Sequence, residues 1–236
     1  MERIVAIIPA NNEENKIGRI VKETLKFVDT VIVVDDGSKD NTALISEKSG
    51  ARVIKNKRNL GLGSALRAGF KEALKNKYDI VVTLDADGQH DPKELSFLLK
   101  ILKRQKADLV VGSRFLRPER IINFPRHRLL GNVLLTFLTN AILNKWVTSD
   151  SQSGYRVIRS EALKKLDLHA KRMEISSEII IEAALNNLKI VEFPIKVSYD
   201  QVKSHQHLIR DTLRILTVIL KKWLKCKFIL LRTCLL

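Results

Sequence analysis

Four short stretches of this chain collect the residue types that hold cations and phosphates. They are Ile8-Pro9-Ala10-Asn11-Asn12-Glu13-Glu14, Val34-Asp35-Asp36-Gly37-Ser38, Leu84-Asp85-Ala86-Asp87-Gly88-Gln89-His90 and Gly112-Ser113-Arg114. Asp85 and Asp87 are the sharpest pair. At i and i+2 on an extended segment their side chains point the same way, and two converging carboxylates repel unless a cation sits between them. Oxygen ligands with no Cys/His cluster nearby favour Mg²⁺ or Mn²⁺, with substrate phosphates completing the coordination. His90 reads as a supporting or capping residue rather than a ligand. Acids at strand ends also have a plainer use, capping the next helix, as Asp91 before Pro92 is expected to do. Three acidic ends along one sheet edge exceed what capping requires.

The elements that must position these groups are legible as alternating patterns. Residues 4–8, 31–34, 80–84 and 109–111 are short, continuous and β-branched, as strands buried on both faces are. Amphipathic segments fall near 14–26, 40–49, 62–75 and 92–104, and the third places Leu62, Ala65, Leu66, Gly69, Phe70 and Ala73 on one face. Strand–helix alternation predicts a doubly wound α/β fold with a mostly parallel sheet, whose ligands bind at the carboxyl ends of the strands. After Arg114 the rhythm breaks. Arginines 114, 117, 120, 126 and 128 face a single acid, Glu119, and a mostly apolar helix follows over 129–143. Residues 150–159 read as a turn and then an extended run, 174–187 as a helix, and 190–197 as a further strand.

Residues 208–236 differ in kind, with seven basic residues and one acid, Asp211, among many Leu and Ile. Arg210, Arg214, Lys221, Lys225 and Arg232 share one helical face, and Leu213, Leu216, Leu220, Trp223 and Leu224 share the other. A helix docked on the core would explain some of this, but a basic face opposite a Leu/Trp face fits a membrane interface better. Lys221, Lys222 and Lys225 are then expected to meet anionic headgroups. The expected division is a catalytic domain over 1–207 and a basic amphipathic tail over 208–236.

Composition narrows the partners. Among 236 residues, 42 Lys and Arg against 26 Asp and Glu give a net charge of +16, which calls for an anionic partner. Only 13 aromatics occur, and the basic residues gather at 114–128 and in the tail, so a nucleic-acid module is the weaker reading. Two cysteines, Cys226 and Cys234, provide no disulfide framework and indicate a reducing compartment. No apolar run reaches the roughly 18 residues of a spanning helix, and 4–8 is too short for a secretory signal, so a cytoplasmic, peripherally membrane-associated protein is expected. Gly61 and Gly63 suggest a phosphate loop, but Leu66 stands where a dinucleotide fingerprint needs its third glycine, and no Walker lysine pattern exists.

Taken in order, the motifs Ile-Pro-x-x-Asn-Glu-Glu, Val-Val-Asp-Asp-Gly-Ser-x-Asp, Asn-x-Gly-x-Gly, Asp-Ala-Asp-Gly-Gln-His-x-Pro, Gly-Ser-Arg and Asp-x-Gln-Ser-Gly-Tyr-Arg resemble one family. It is the family 2 inverting glycosyltransferases of GT-A fold, in particular the branch that charges dolichyl or polyprenyl phosphate. The likeness spans about residues 3–200 and extends to Met173-Glu174-Ile175-Ser176-Ser177-Glu178. It implies transfer of a hexose from GDP-mannose, UDP-glucose or UDP-N-acetylglucosamine to a lipid phosphate. By the same resemblance, Pro9, Asn11, Glu13, Val34 and Asp36 hold base and ribose. Asp85, Ala86, Asp87 and Gln89 hold the metal and donor diphosphate, with Asp85, Asp87 and Gln89 as metal ligands. Arg114 and Arg128 grip the acceptor phosphate, and Asp150 faces the reacting centre, which with Asp87 completes the catalytic set. Asn11 stands where the family usually has tyrosine, and Lys203-Ser204-His205 replaces its usual Ser-Lys. A soluble GT-A transferase or nucleotidyltransferase with a water-soluble acceptor is the alternative, though it leaves the tail without a purpose.

Overall fold

A computed structural model describes residues 2–122, 126–198, 214–218, 220, 222 and 224, with the side chains of 126–128 outside that description. Its centre is a seven-stranded sheet. The strands are β1 (Ile4–Ala10), β2 (Thr30–Asp35), β3 (Arg52–Lys55), β4 (Ile80–Thr83), β5 (Leu109–Ser113), β7 (Arg156–Arg159) and β8 (Ile190–Pro194), in the order β3-β2-β1-β4-β7-β5-β8. A two-stranded ribbon pairs β6 (Ile121–Ile122) with β9 (Val197–Ser198). All pairings are parallel except the two made by β7, which runs antiparallel between β4 and β5. Parallel neighbours need crossover connections. Helices α1 (Glu14–Thr24), α2 (Thr42–Lys48) and α3 (Leu62–Lys75) lie on such crossovers, and α4 (Leu95–Arg104) carries the chain from β4 past the place of β7 to β5.

Side-chain alternation along the strands divides the core into two layers. Ala6, Ile8, Val31, Val33, Ile80 and Val82 face α1 and α4, while Val5, Ile7, Ile32, Val34 and Val81 face α3 and α7 (Ile175–Leu185). With both faces covered, these strands can be apolar throughout, which is why they read as continuous runs. Asp91 accepts from the Lys93 N–H at 2.9 Å and caps the turn into α4, as expected.

The later part of the chain is assembled differently. Helix α5 (Arg126–Ile142) turns a polar face inward, where Asn140 Oδ1 accepts from Val147 N at 2.8 Å and Thr136 Oγ1 lies 3.2 Å from Ser151 Oγ. Helix α6 (Ser160–Leu163) is a single turn after β7. Residues 214–218, 220, 222 and 224 have helical backbone, and Ile215 packs with Leu135 and Ile181. Two differences from the sequence reading matter. Strand β3, a short edge with only partly buried residues, carries too little apolar signal to be anticipated. Lys222, assigned to the headgroup surface, is only 7% exposed, whereas Leu220 is 56% exposed. The described residues of the tail thus dock Ile215 and Lys222 and leave Leu220 and Leu224 open. Lys203, Ser204 and His205, together with Arg210, Leu213, Lys221, Trp223 and Lys225, lie outside the described residues.

Candidate active site

Sheet order places the carboxyl ends of β2, β1 and β4 side by side, so the three acidic stretches meet. They border a cleft of about 330 Å³ lined by Pro9, Asn11, Glu13, Asp36, Asp85, Ala86 and Asp87. The sequence reading named each of these residues. Val34 is buried in the core and does not line the cleft. Gln89 does not line the cleft, and its N–H donates to Asp87 Oδ1 at 3.0 Å.

That hydrogen bond closes a turn of the Asx type after β4. Asp85 and Asp87 are therefore not neighbours on an extended strand, as first expected; the chain has begun to turn at Ala86 and Asp87. They remain electrostatically close, and both carboxyls are pushed up from the usual range. Burial is the main cause in each. For Asp87 the charge on Asp85 adds to it, while for Asp85 the guanidinium groups of Arg114 and Arg156 oppose it. Neither oxygen of Asp85 accepts a hydrogen bond among the described residues. Gly154 makes room for this carboxylate, since a Cβ there would stand 2.6 Å from both of its oxygens. Two half-buried carboxylates with unfilled acceptor capacity fit a hard divalent cation. Among the described residues no group of three Asp, Glu, His or Cys converges, so substrate phosphates would have to supply further ligands. His90 is buried against Tyr155, with Nδ1 3.8 Å from Asp85 Oδ2 and no hydrogen-bond partner. Burial pulls it down to about 4, so it is neutral at neutral pH and supports the site from beneath.

Asp36 is largely committed to shaping the cleft. Its Oδ1 accepts from Asn56 Nδ2 at 2.8 Å and Leu60 N at 2.9 Å, and its Oδ2 from Gly61 N at 2.7 Å. The amino end of α3 is thereby pinned beside β2. Gly61 has φ +99°, and a Cβ there would collide with Lys171 O and Arg172 Cγ at 2.6 Å, so only glycine fits. Asn11 donates to Asp36 O at 2.9 Å. Burial raises Glu13 to about 7, against the pull of Lys16 and with help from Asp87.

Behind this edge lie two buried arginines. Arg114 donates through Nε and Nη2 to the two oxygens of Asp150, each at 2.7 Å, and Arg114 N also donates to Asp150 at 3.1 Å. Asp150 is wholly buried and does not line the cleft, so here it holds a guanidinium instead of standing free at a reacting centre. Arg156 donates to Ser151 O at 3.0 Å and Ser176 O at 2.9 Å, and its Nε has no partner. Burial lowers it to about 10, against the charges of Asp150 and Asp85. Arg128 lies in the first turn of α5, and its side chain is outside the description.

The far wall is formed by Asn59, Gly61, Leu62, Gln152, Arg172 and Met173; the sequence reading gives none of them a site role, although Asn59, Gly61, Gln152 and Met173 fall within motifs that it quotes. Among the described residues Arg172 is the only cation lining a cleft that presents four carboxylates, and its guanidinium makes no hydrogen bond or ion pair with any of them. It stands directly before the Met173–Glu178 stretch, but nothing in that stretch marks Arg172 itself. Its position depends on residues 167–172 folding back against α3, where Ser64 N donates to Lys171 O at 3.0 Å.

Residues 5–167 match the profile described as glycosyl transferase family 2. The chain is 38% identical over 218 residues to a UDP-N-acetylglucosamine–dolichyl-phosphate N-acetylglucosaminyltransferase of Methanococcus voltae, covering 84% of this chain and 86% of that protein. It is 33% identical over 205 residues to a polyprenol monophosphomannose synthase of Mycolicibacterium smegmatis, covering 82% and 77%. Among solved structures, glucosyl-3-phosphoglycerate synthase from Mycobacterium tuberculosis, in complex with Mn²⁺ and UDP-glucose, superposes with a TM-score of 0.75. That match covers 94% of this chain and 79% of the other at 22% identity, a likeness of fold.

Proposed function

The chain belongs to glycosyl transferase family 2, with its GT-A fold, and from that premise we propose that it moves a hexose from a nucleotide-diphospho-sugar to dolichyl or another polyprenyl phosphate, with inversion. Its relatives in Methanococcus voltae and Mycolicibacterium smegmatis are named for lipid-phosphate acceptors. The observation that carries the reading is the outer face of α5. Leu130, Val133, Leu134 and Phe137, at i, i+3, i+4 and i+7, stand between 51% and 73% exposed. The opposite face of the same helix holds the loop that bears Asp150 and Gln152. An apolar stripe this open marks an interaction surface. A membrane-borne acceptor gives it a partner beside the cleft.

On this reading Pro9, Asn11, Glu13 and Asp36 form the nucleotide end of the cleft, and Arg172 meets the donor diphosphate. Asp85 and Asp87 would hold Mg²⁺ or Mn²⁺, which when bound offsets charge on the departing nucleoside diphosphate. A phosphate monoester is anionic at neutral pH, so its oxygen attacks the sugar carbon without a general base. What it needs is positioning and charge compensation. Arg114, held bidentately by Asp150, presents a fixed positive group for that purpose, and Arg128 at the start of α5 is the second. Glu13, Asp85 and Asp87 meanwhile keep a second anion from settling in the donor subsite unless a cation accompanies it. No helix among the described residues is long and apolar enough to cross a membrane, and we place the protein peripherally on its cytoplasmic face.

The test uses radiolabelled GDP-mannose, UDP-glucose and UDP-N-acetylglucosamine, each with dolichyl phosphate in liposomes and MgCl₂ or MnCl₂. Label extracted into the lipid phase with one donor supports the proposal and identifies the sugar. Label transferred only to water-soluble acceptors refutes the lipid acceptor.

A further inference from the structure

Helix α7 and the residue before it carry three buried glutamates at one-turn intervals, Glu174, Glu178 and Glu182. Buried carboxylates are tolerated only when hydrogen-bonded and neutralised. The backbone of residues 167–172 supplies the hydrogen bonds. Asp167 N donates to Glu182 Oε2 at 3.1 Å, Ala170 N to Glu178 Oε2 at 2.8 Å, and Arg172 N to Glu174 Oε1 at 3.1 Å. The compensating charge comes from much later in the chain. Lys222 Nζ lies 2.6 Å from Glu182 Oε1 and 3.3 Å from Glu178 Oε1, and donates to Asp167 O at 2.8 Å. One ammonium therefore bridges both carboxylates and the loop that they hold.

That loop is also the far wall of the donor cleft. Lys171 O accepts from Ser64 N, Ala170 O presses on Gly63, and Arg172 packs over Gly61. Arg172 and Met173 then line the cleft itself. From Lys222 a continuous set of contacts runs through Glu178 and Glu182 to residues 167–172, and on to the amino end of α3. We infer that Lys222 is a positioning residue for the donor side of the cleft, and that seating of the C-terminal segment sets affinity for the nucleotide sugar. The inference rests on the reading of this cleft as the donor site, and is independent of the lipid acceptor. It gives the tail a second task, because Leu220 and Leu224 point outward while Lys222 points in.

The test compares the full-length chain with K222Q and K222R, titrated with UDP-N-acetylglucosamine and with GDP-mannose in MnCl₂ by calorimetry. Turnover follows with whichever donor binds. K222Q should weaken donor binding and raise donor KM about tenfold, with a far smaller change in kcat. K222R should restore most of the affinity, which a general packing defect would not allow. Hydrogen exchange should show the amides of 167–172 opening faster in K222Q, with β1, β2 and β4 unchanged. If K222Q does not fold, K222M/E182Q keeps the cluster's net charge of one negative while removing the bridge, and should show the same donor defect. Native donor affinity in a folded K222Q or K222M/E182Q overturns the inference. A wild-type chain that binds neither of these nucleotide sugars, nor UDP-glucose titrated in the same way, brings down the donor reading and the inference together.

Discussion

The two sides of the cleft are built on opposite principles. On the donor edge, Glu13, Asp36, Asp85 and Asp87 each sit within a few residues of a strand end, and the parallel sheet alone brings them together. On the other side every functional contact joins distant residues: Arg114 with Asp150, Arg172 with Gly61, Lys222 with Glu182. The donor edge keeps its charges crowded and poorly compensated, as the raised Asp85 and Asp87 show. The opposite side pairs Arg114 with Asp150 and Lys222 with Glu182 in buried, well-formed contacts, and among the described residues leaves only Arg172 open toward the cleft. A site that awaits a cation is under electrostatic tension, whereas a site that positions a rigid guanidinium is not. Mutations on the two sides should therefore trade activity against stability in opposite senses.

The largest expected effect is at the metal pair. Asp85→Ala or Asp87→Ala should lower transfer at least a thousandfold, on the order of 4 kcal/mol of transition-state stabilisation. Thermal stability should hold or rise, because each substitution relieves repulsion and desolvation. Chelation by EDTA should reproduce the loss in the wild-type chain, reversibly with Mg²⁺ or Mn²⁺. Steady-state kinetics beside a melting curve checks both halves, and full activity in EDTA would remove the metal role.

Asp150→Asn breaks the comparison from the other side. It leaves the Arg114 guanidinium buried without its counter-charge, a loss of about 3 kcal/mol in stability. Its melting temperature should fall where that of the Asp85 variant does not. Equal melting temperatures for the two variants would mean that both carboxylates sit in the same kind of environment, and the contrast would fail.

The same contrast explains what the sequence could and could not reveal. The four β-branched runs, the helices between them and the acidic strand ends are local signals, and the structure places them as read. Strand β7, inserted antiparallel between β4 and β5, depends on partners such as Thr83 opposite Arg156 and Leu109 opposite Ile158, all far away in sequence, which no local pattern records. The Asp85–Asp87 segment was read as extended because the Asx hydrogen bond from Gln89 N competes with strand geometry only once β4 ends. Lys222 illustrates the limit best. Its place in a basic tail, not the helical spacing that defines the Lys221 and Lys225 face, groups it with the headgroup-facing lysines, yet Glu178 and Glu182, some 40 residues earlier, draw it inward.

A smaller effect is expected at the open face of α5. Leu134→Glu with Phe137→Glu removes two exposed apolar side chains, worth about 2 kcal/mol of interfacial binding, or roughly thirtyfold in partitioning to liposomes. Nucleotide-sugar binding should not change, because neither residue lines the cleft. Flotation with anionic liposomes measures the first and calorimetry the second. Undiminished flotation of the double variant would transfer membrane contact from α5 to the tail.

The smallest expected effect is a pH dependence, and it belongs to the donor edge alone. Glu13 titrates near 7 in the folded chain against 4.5 for an ordinary glutamate, chiefly through burial. A raised carboxyl favours the folded state while it stays protonated. That contribution is complete below about 4.5 and is lost as pH rises through about 7. Cation binding has the opposite slope. A divalent ion at Asp85 and Asp87 stabilises the ionised form of Glu13, so binding releases part of a proton and affinity climbs with pH until about 7. Between pH 6 and pH 8 the wild-type chain should gain a few-fold in Mn²⁺ affinity from this group, under the tenfold per unit that one full proton would give. Glu13→Gln should flatten that segment of the curve while leaving affinity at pH 6 nearly unchanged, since Glu13 is mostly protonated there. Calorimetric titration of Mn²⁺ across the range reads the difference directly. If both proteins show the same slope, the carboxyls of Asp85 and Asp87 account for all of it, and Glu13 senses neither the cation nor the pH.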